Sequence, residues 1–250
     1  MKTVILRISD IYRGNLLLVN ASHPLMSDSS DDLIPADPRF PDIRLKRGAA
    51  NVLQMILEKV SAGSAIVPVS GYRSREEQTS IFEKSLIENG EEFTRKYVAL
   101  PGCSEHETGL AIDLALNGPN IDFIRPNFPY DGICGAFRHI APEHGFIERY
   151  PAGKEDITGI SHEPWHFRYV GCPHSEIMSE RGLTLEEYTD FIRRFNTGKR
   201  LVYNGKCSAA EVFFVPSAGE MTAVSLSEKD ISVISGNNVD GFIVTVWRKP

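Results

Sequence analysis

Two stretches of this chain hold most of the side chains that could do chemistry. PGCSEHETGLAID, Pro101 to Asp113, sets His106 and Asp113 a few residues apart with Gly109 between them. SHEPWHFRYVG, Ser161 to Gly171, brings Glu163, Trp165 and His166. A catalytic zinc ion takes three protein ligands and leaves one position to water. His106, Asp113 and His166 fit that count, if the two stretches meet in space. Glu163 precedes His166 by three positions, an offset that suits a carboxylate beside an attacking water rather than a fourth ligand. Each part alone is weak, because a single histidine on a strand more often makes structural hydrogen bonds than holds a metal. Cys103 lies close to His106. It could be a thiolate ligand or nucleophile, against the commoner role of a small packed thiol.

The elements that must position these residues can be read from periodicity. GLAIDLAL alternates as a strand, with Leu110, Ile112, Leu114 and Leu116 on one face and Ala111, Asp113 and Ala115 on the other. A lone Asp among alanines is costly to bury unless a metal or another cation faces it. WHFRYV alternates too, with His166, Arg168 and Val170 opposite Trp165, Phe167 and Tyr169. Ile66 to Val69 reads as a strand. Ser74 with Glu77 then forms a capping-box pattern ahead of a helix carrying Ile81, Phe82 and Leu86. Arg73 therefore sits at a strand-to-helix junction, where side chains often point into a cleft. Helices are expected over Leu45–Val60, Glu91–Val98, Ile133–His144 (limited by Pro142), Pro173–Arg181 and Leu183–Phe195, the last opened by Thr184 and Glu187. Phe146–Tyr150 reads as a strand and Leu16–Val19 as a buried strand or turn. The acidic, proline-bearing run Ser27–Pro41 reads as a surface loop. From Leu201 the character changes to short β-type runs. This divides the chain into a body over residues 1–199 and a small all-β appendage over 200–250, which could serve dimerisation or substrate gating.

Composition narrows the function classes. A formal net charge of −6 without a Lys/Arg stripe disfavours nucleic acid. No apolar run approaches the roughly 20 residues of a spanning helix. The opening MKTVILRISDIYRGN is interrupted by Arg7, Ser9 and Asp10, unlike a secretory leader, so a soluble cytoplasmic protein is expected. Cys103, Cys134, Cys172 and Cys207 are far apart and read as thiols rather than a disulfide framework.

The combination SGYRS with Gln78, SEHETGLAIDLA and EPWHFRYVG resembles the VanX/VanY zinc D,D-peptidases, whose signature is SxHxxGxAxD followed by ExxH. The resemblance spans Asn15 to Gly171 and is nearest the VanXY-type D,D-dipeptidase/D,D-carboxypeptidases. It implies an α+β fold with a central antiparallel sheet flanked by helices. It also implies one Zn2+ per chain on His106, Asp113 and His166, with Glu163 as general base and Arg73 stabilising the oxyanion. Gln78 and Ser104 would hold the substrate's carboxylate or backbone, and Trp165 would line the pocket. The implied substrates are small peptides, D-Ala-D-Ala (or D-Ala-D-Ser) and peptidoglycan precursor stems, and the implied consequence is vancomycin resistance. An L,D-carboxypeptidase, another cell-wall peptidase, or a non-catalytic zinc-binding module are the alternatives. Structural roles also compete residue by residue. Arg73 could pair with Glu76 or Glu77 on the surface, Gln78 could be solvated, Trp165 could be plain core, and Ser104 could cap a turn.

Overall fold

The computed structural model describes residues 1–27, 30–205 and 209–248, so Cys207 lies outside the described residues. The chain opens with β1 (Lys2–Arg7), then a hairpin of β2 (Leu33–Pro35) and β3 (Arg44–Lys46) leads into α1 (Arg47–Lys59). There follow β4 (Ile66–Ser70), α2 (Arg75–Tyr97), β5 (Ala111–Leu116), α3 (Gly132–Ile140), β6 (Phe146–Tyr150), α4 (Glu155–Thr158) and β7 (Glu163–Tyr169). Helices α5 (His174–Arg181) and α6 (Leu185–Ile192) precede β8 (Leu201–Asn204), β9 (Ala209–Pro216), β10 (Met221–Leu226), β11 (Ile231–Gly236) and β12 (Gly241–Trp247).

Both expected capping boxes form. Ser74 Oγ accepts from the Glu77 amide while the Glu77 carboxylate accepts from the Ser74 amide, and Thr184 and Glu187 do the same for α6. Gly90, at φ 81°, breaks the helical path inside α2, which explains why the sequence reads there as two helices. Ser27–Pro41 is not wholly loop, because β2 lies within it. Leu16–Val19 forms no strand but is buried.

The central sheet runs β4-β5-β7-β6, antiparallel throughout. The alternation read from sequence sorts its two faces. Ile112, Leu114, Trp165 and Phe167 enter a core with Leu53 and Ile56 of α1 and Phe137 of α3. Leu53 is fully buried there. Truncating such a side chain to alanine typically costs about 2–5 kcal/mol. Asp113, His166 and Arg168 take the opposite parity along β5 and β7, away from that core.

The C-terminal strands form a second antiparallel sheet, β11-β12-β9-β8. Much of its apolar surface is covered within the chain, though Val202, Ile231 and Val233 stay exposed. Val212, Phe214 and Ile243 pack with Ile177 of α5 and Tyr188 of α6. On the other side Phe213, Val244 and Val246 pack with Val224 and Leu226 of β10 and with Val4 and Leu6 of β1. β10 leaves its neighbours to pair with β1 from the chain's start, a pairing that periodicity in either segment does not reveal.

Candidate active site

Register brings the two motif stretches together. Asp113 of β5 stands opposite His166 of β7. His106 arrives on a single 3-10 turn, Glu105–Thr108, whose first amides are satisfied locally: Ser104 Oγ accepts from the His106 amide. Gly109 ends the turn at φ 69°, where a Cβ would also lie 2.9 Å from Leu33 Cδ2, so only glycine fits without strain. That sharp exit lets His106 and Asp113 aim at one point although one is on a turn and the other in a strand.

His106 Nε2 lies 3.1 Å from Asp113 Oδ2, and His166 Nδ1 lies 2.8 Å from Asp113 Oδ1. One donor atom from each of the three falls within 4.8 Å of the others, and all three residues are buried. Among the described residues this is the one group of three such side chains placed to hold a metal. His106 Nδ1 donates to the Gly71 carbonyl at 2.7 Å, which leaves Nε2 as its coordinating nitrogen. The outward bond of a ligating histidine fixes its tautomer in this way.

Glu163 sits at the edge of the trio, its Oε2 3.8 Å from His166 Nδ1. Burial raises its carboxyl to about 8, with the Asp113 charge adding to the rise and His166 opposing it. Burial lowers the His106 imidazole to about 4, helped by the nearby Arg73 charge. His166 goes the other way. Burial would lower it, but the hydrogen bond and charge of Asp113 carry it up to about 9. Asp113 itself is held well below the carboxylate range by the imidazoles, against the effect of burial.

Arg73 is half-buried, with its Nε fully buried, and it lines the same cavity as the trio and Glu163 rather than pairing with Glu76 or Glu77 on the surface. Its Nε has no hydrogen-bond partner in the protein. A buried guanidinium nitrogen without an acceptor is costly, which fits a cation reserved for an incoming oxygen. Ser104 and Trp165 also line the cavity. Ser104 is a turn cap as well, and Trp165 belongs to the core cluster as well, so both ordinary roles hold beside the site role. Gln78 is neither solvated nor in the cavity lining. It is buried, and its Nε2 donates to the carbonyl of Ala99, a lining residue, at 2.7 Å. Cys103 lies outside the donor group, and burial pushes its thiol up, away from a reactive thiolate. Cys103, Cys134 and Cys172 form no disulfide. His162 bonds outward, 2.7 Å from the Tyr130 hydroxyl.

Sequence reasoning missed Glu105, Arg149 and Arg168. Glu105 is fully buried beside His106, with Oε1 accepting from Arg149 Nε at 2.8 Å and lying 2.9 Å from Arg168 Nη1. The two arginines hold its carboxyl well down against burial. Arg149 also binds Glu186 of α6 through both terminal nitrogens. The available signal was Arg168 sharing the parity of His166, a cation on the metal face that needs a buried acid.

The family model for VanY, D-alanyl-D-alanine carboxypeptidase, matches residues 42–172. The chain belongs to that family. It is 42% identical over 181 residues to the bifunctional D-Ala-D-Ala dipeptidase and D-Ala-D-Ala carboxypeptidase VanXYC of Enterococcus gallinarum, covering 72% of this chain and 95% of that one. The crystal structure of the vancomycin-resistance D,D-dipeptidase VanXYg in complex with a D-Ala-D-Ala phosphinate analogue matches with a TM-score of 0.97 at 58% identity, over 99% of both chains. A vancomycin-resistance D,D-pentapeptidase VanY variant from a VanB-type cassette, in complex with Zn(II), matches with a TM-score of 0.57 at 30% identity, over 70% of this chain and 98% of that one. The VanY-family fold expected from the motifs is the fold of this protein, C-terminal β layer included in the VanXYg match.

Proposed function

We propose that this VanY-family protein is a zinc-dependent D,D-dipeptidase and D,D-carboxypeptidase. It would hydrolyse D-Ala-D-Ala (or D-Ala-D-Ser) and remove the terminal D-residue of peptidoglycan pentapeptide precursors, and so contribute to glycopeptide resistance by removing the drug's target. The observation that carries the reading is a buried Glu163 beside, but outside, a converging His106–Asp113–His166 group.

The residues fit a zinc ion. Two imidazole nitrogens and one carboxylate oxygen converge, and the outer nitrogen of His106 is already committed to a carbonyl. His106, Asp113 and His166 would hold one ion per chain. When bound, zinc supplies a Lewis acid and an acidified water.

The remaining chemistry belongs to the protein. Glu163 takes a proton from the attacking water and delivers it to the leaving amine nitrogen. A carboxyl raised to about 8 by burial suits a group that must accept and return a proton near neutral pH. The Arg73 guanidinium binds the oxygen that gains charge as the carbonyl carbon becomes tetrahedral. Ser104 contacts the substrate's terminal carboxylate or backbone, and Trp165 packs against its apolar side. Gln78 acts on the substrate indirectly, by holding the Ala99 carbonyl.

Among the described residues no helix is long and apolar enough to cross a membrane. A cytoplasmic site of action, on free dipeptide and soluble precursor, is part of the proposal. So is the division into a catalytic body over residues 1–199 and a supporting β layer over 200–250, with β1 travelling with that layer.

Zinc analysis of the purified protein, with parallel assays of D-Ala-D-Ala, a D,D-pentapeptide and a matched L,D-peptide, tests the function. Zinc near one per chain with cleavage of the D,D substrates is expected. Cleavage of the L,D-peptide alone would sink it.

A further inference from the structure

Two buried polar atoms near the metal-site candidates have no hydrogen-bond partner, and they face each other. Glu105 Oε2 and His166 Nε2 are both unpartnered and lie 3.7 Å apart. The other oxygen of Glu105 is occupied by Arg149 and Arg168. The other nitrogen of His166 faces Asp113 at 2.8 Å.

A histidine that binds a metal through Nδ1 must carry its proton on Nε2. A buried N–H needs an acceptor, or it costs the desolvation of that group. The two imidazoles solve this differently. His106 turns Nδ1 to the Gly71 carbonyl, whereas His166 turns Nε2 to a carboxylate.

We propose that Glu105 is a positioning residue for His166: its Oε2 accepts the Nε2 proton, fixing the ring so that Nδ1 points to Asp113 and His106. Glu105 is tied to β6 through Arg149 and to β7 through Arg168, so it is held in place independently of the histidine it orients. Arg149 in turn grips Glu186 on α6, and Asn20 donates to the same Glu186 at 3.2 Å. The metal face is thereby braced against the α6 side of the molecule. This rests on the reading of His106, Asp113 and His166 as zinc ligands.

The test compares wild type with Glu105→Asp and Glu105→Gln. Aspartate keeps the countercharge for the two arginines but draws the oxygen back by one methylene. Glutamine keeps the length and removes the charge. Zinc dissociation constants are measured by chelator competition, beside thermal midpoints of the metal-free proteins. Zinc binding weaker by about 10- to 100-fold in Glu105→Asp, with a metal-free midpoint close to wild type, is expected. Wild-type zinc affinity in both variants, whatever their midpoints, overturns the proposal.

If both variants fail to fold, wild type decides. In zinc-loaded protein carrying 15N-histidine, His166 should show a protected Nε2–H and a metal-bound Nδ1. A metal-bound Nε2, or an Nε2–H exchanging freely with water, overturns it. A wild type that takes up no zinc would sink the metallopeptidase reading first, which separates the two failures.

Discussion

Asp113 and His166 stand opposite each other in the β5–β7 ladder, with Asp113 Oδ1 2.8 Å from His166 Nδ1. The second oxygen, Oδ2, reaches His106 Nε2 at 3.1 Å. One carboxylate thus faces both imidazoles, and its charge has a measurable consequence. Burial lowers His166, but Asp113 lifts it to about 9, so at neutral pH the metal-free ring is protonated. Zinc must displace that proton. Affinity should therefore rise as pH rises from 6 towards about 9, by about tenfold per unit. Calorimetric titration in buffers of different ionisation enthalpy should show about one proton released at pH 7. A pH-independent affinity would contradict the protonated ring.

Replacing Glu163 by Gln removes the proton acceptor while keeping its shape. Turnover of D-Ala-D-Ala is expected to fall by about 10²–10⁴ with zinc content unchanged. Retained turnover would remove Glu163 from the mechanism. Loss of zinc would make it a ligand, which its 3.8 Å separation from His166 Nδ1 argues against.

Arg73 has an unpartnered buried Nε, so its truncation should act on the transition state more than on substrate binding. For Arg73→Ala, kcat should fall by about 10²–10³ with a smaller change in KM. A change confined to KM would assign Arg73 to ground-state binding.

Asn238 lies at φ 61°, and its Nδ2 donates towards the carbonyls of Leu18, His23 and Pro24 at 2.9, 3.2 and 3.1 Å. It knots the β11–β12 turn to the N-terminal segment. Asn238→Ala should cost about 2–4 kcal/mol in urea unfolding, combining lost hydrogen bonds with left-handed backbone strain. Asn238→Gly should cost less, since only the hydrogen bonds are lost. Equal stability of all three proteins would show that the knot carries no weight.

His174 is buried between the Tyr188 hydroxyl, 2.6 Å from Nδ1, and the Thr245 hydroxyl, 3.0 Å from Nε2. Burial lowers it to about 3. A folded-state value below the unfolded one means that the folded protein binds fewer protons. The stabilisation is fully present above about 6.5 and is lost as pH falls from there towards about 3. Wild type should lose stability more steeply than His174→Asn between pH 6.5 and 4.5. Parallel curves would show that the imidazole does not control this window.

What the sequence by itself determined is the local part. Alternation in GLAIDLAL set Asp113 on the face of Ala111 and Ala115, and in WHFRYV it set His166 on the face of Arg168, because side chains alternate across a strand whatever it pairs with. That the two faces coincide is a matter of register. The Ser74–Glu77 and Thr184–Glu187 boxes marked helix starts because capping is satisfied within one turn. Motif spacing singled out His106 and Glu163, and the family resemblance pointed to Arg73. Pairings between distant segments leave no such trace. The partnership of β1 with β10, across more than two hundred residues, depends on which apolar face remains uncovered once the second sheet has packed on α5 and α6. For Gln78 the sequence left a substrate-holding role and a solvated one open, and only the approach of Ala99 shows it buried and bonded to a backbone carbonyl. Nothing local in the sequence marks Glu105, and only the convergence of Arg149 from β6 and Arg168 from β7 offsets the cost of its burial, since a buried charge needs partners from elsewhere in the chain. Its side of His166 was decided by tertiary packing alone.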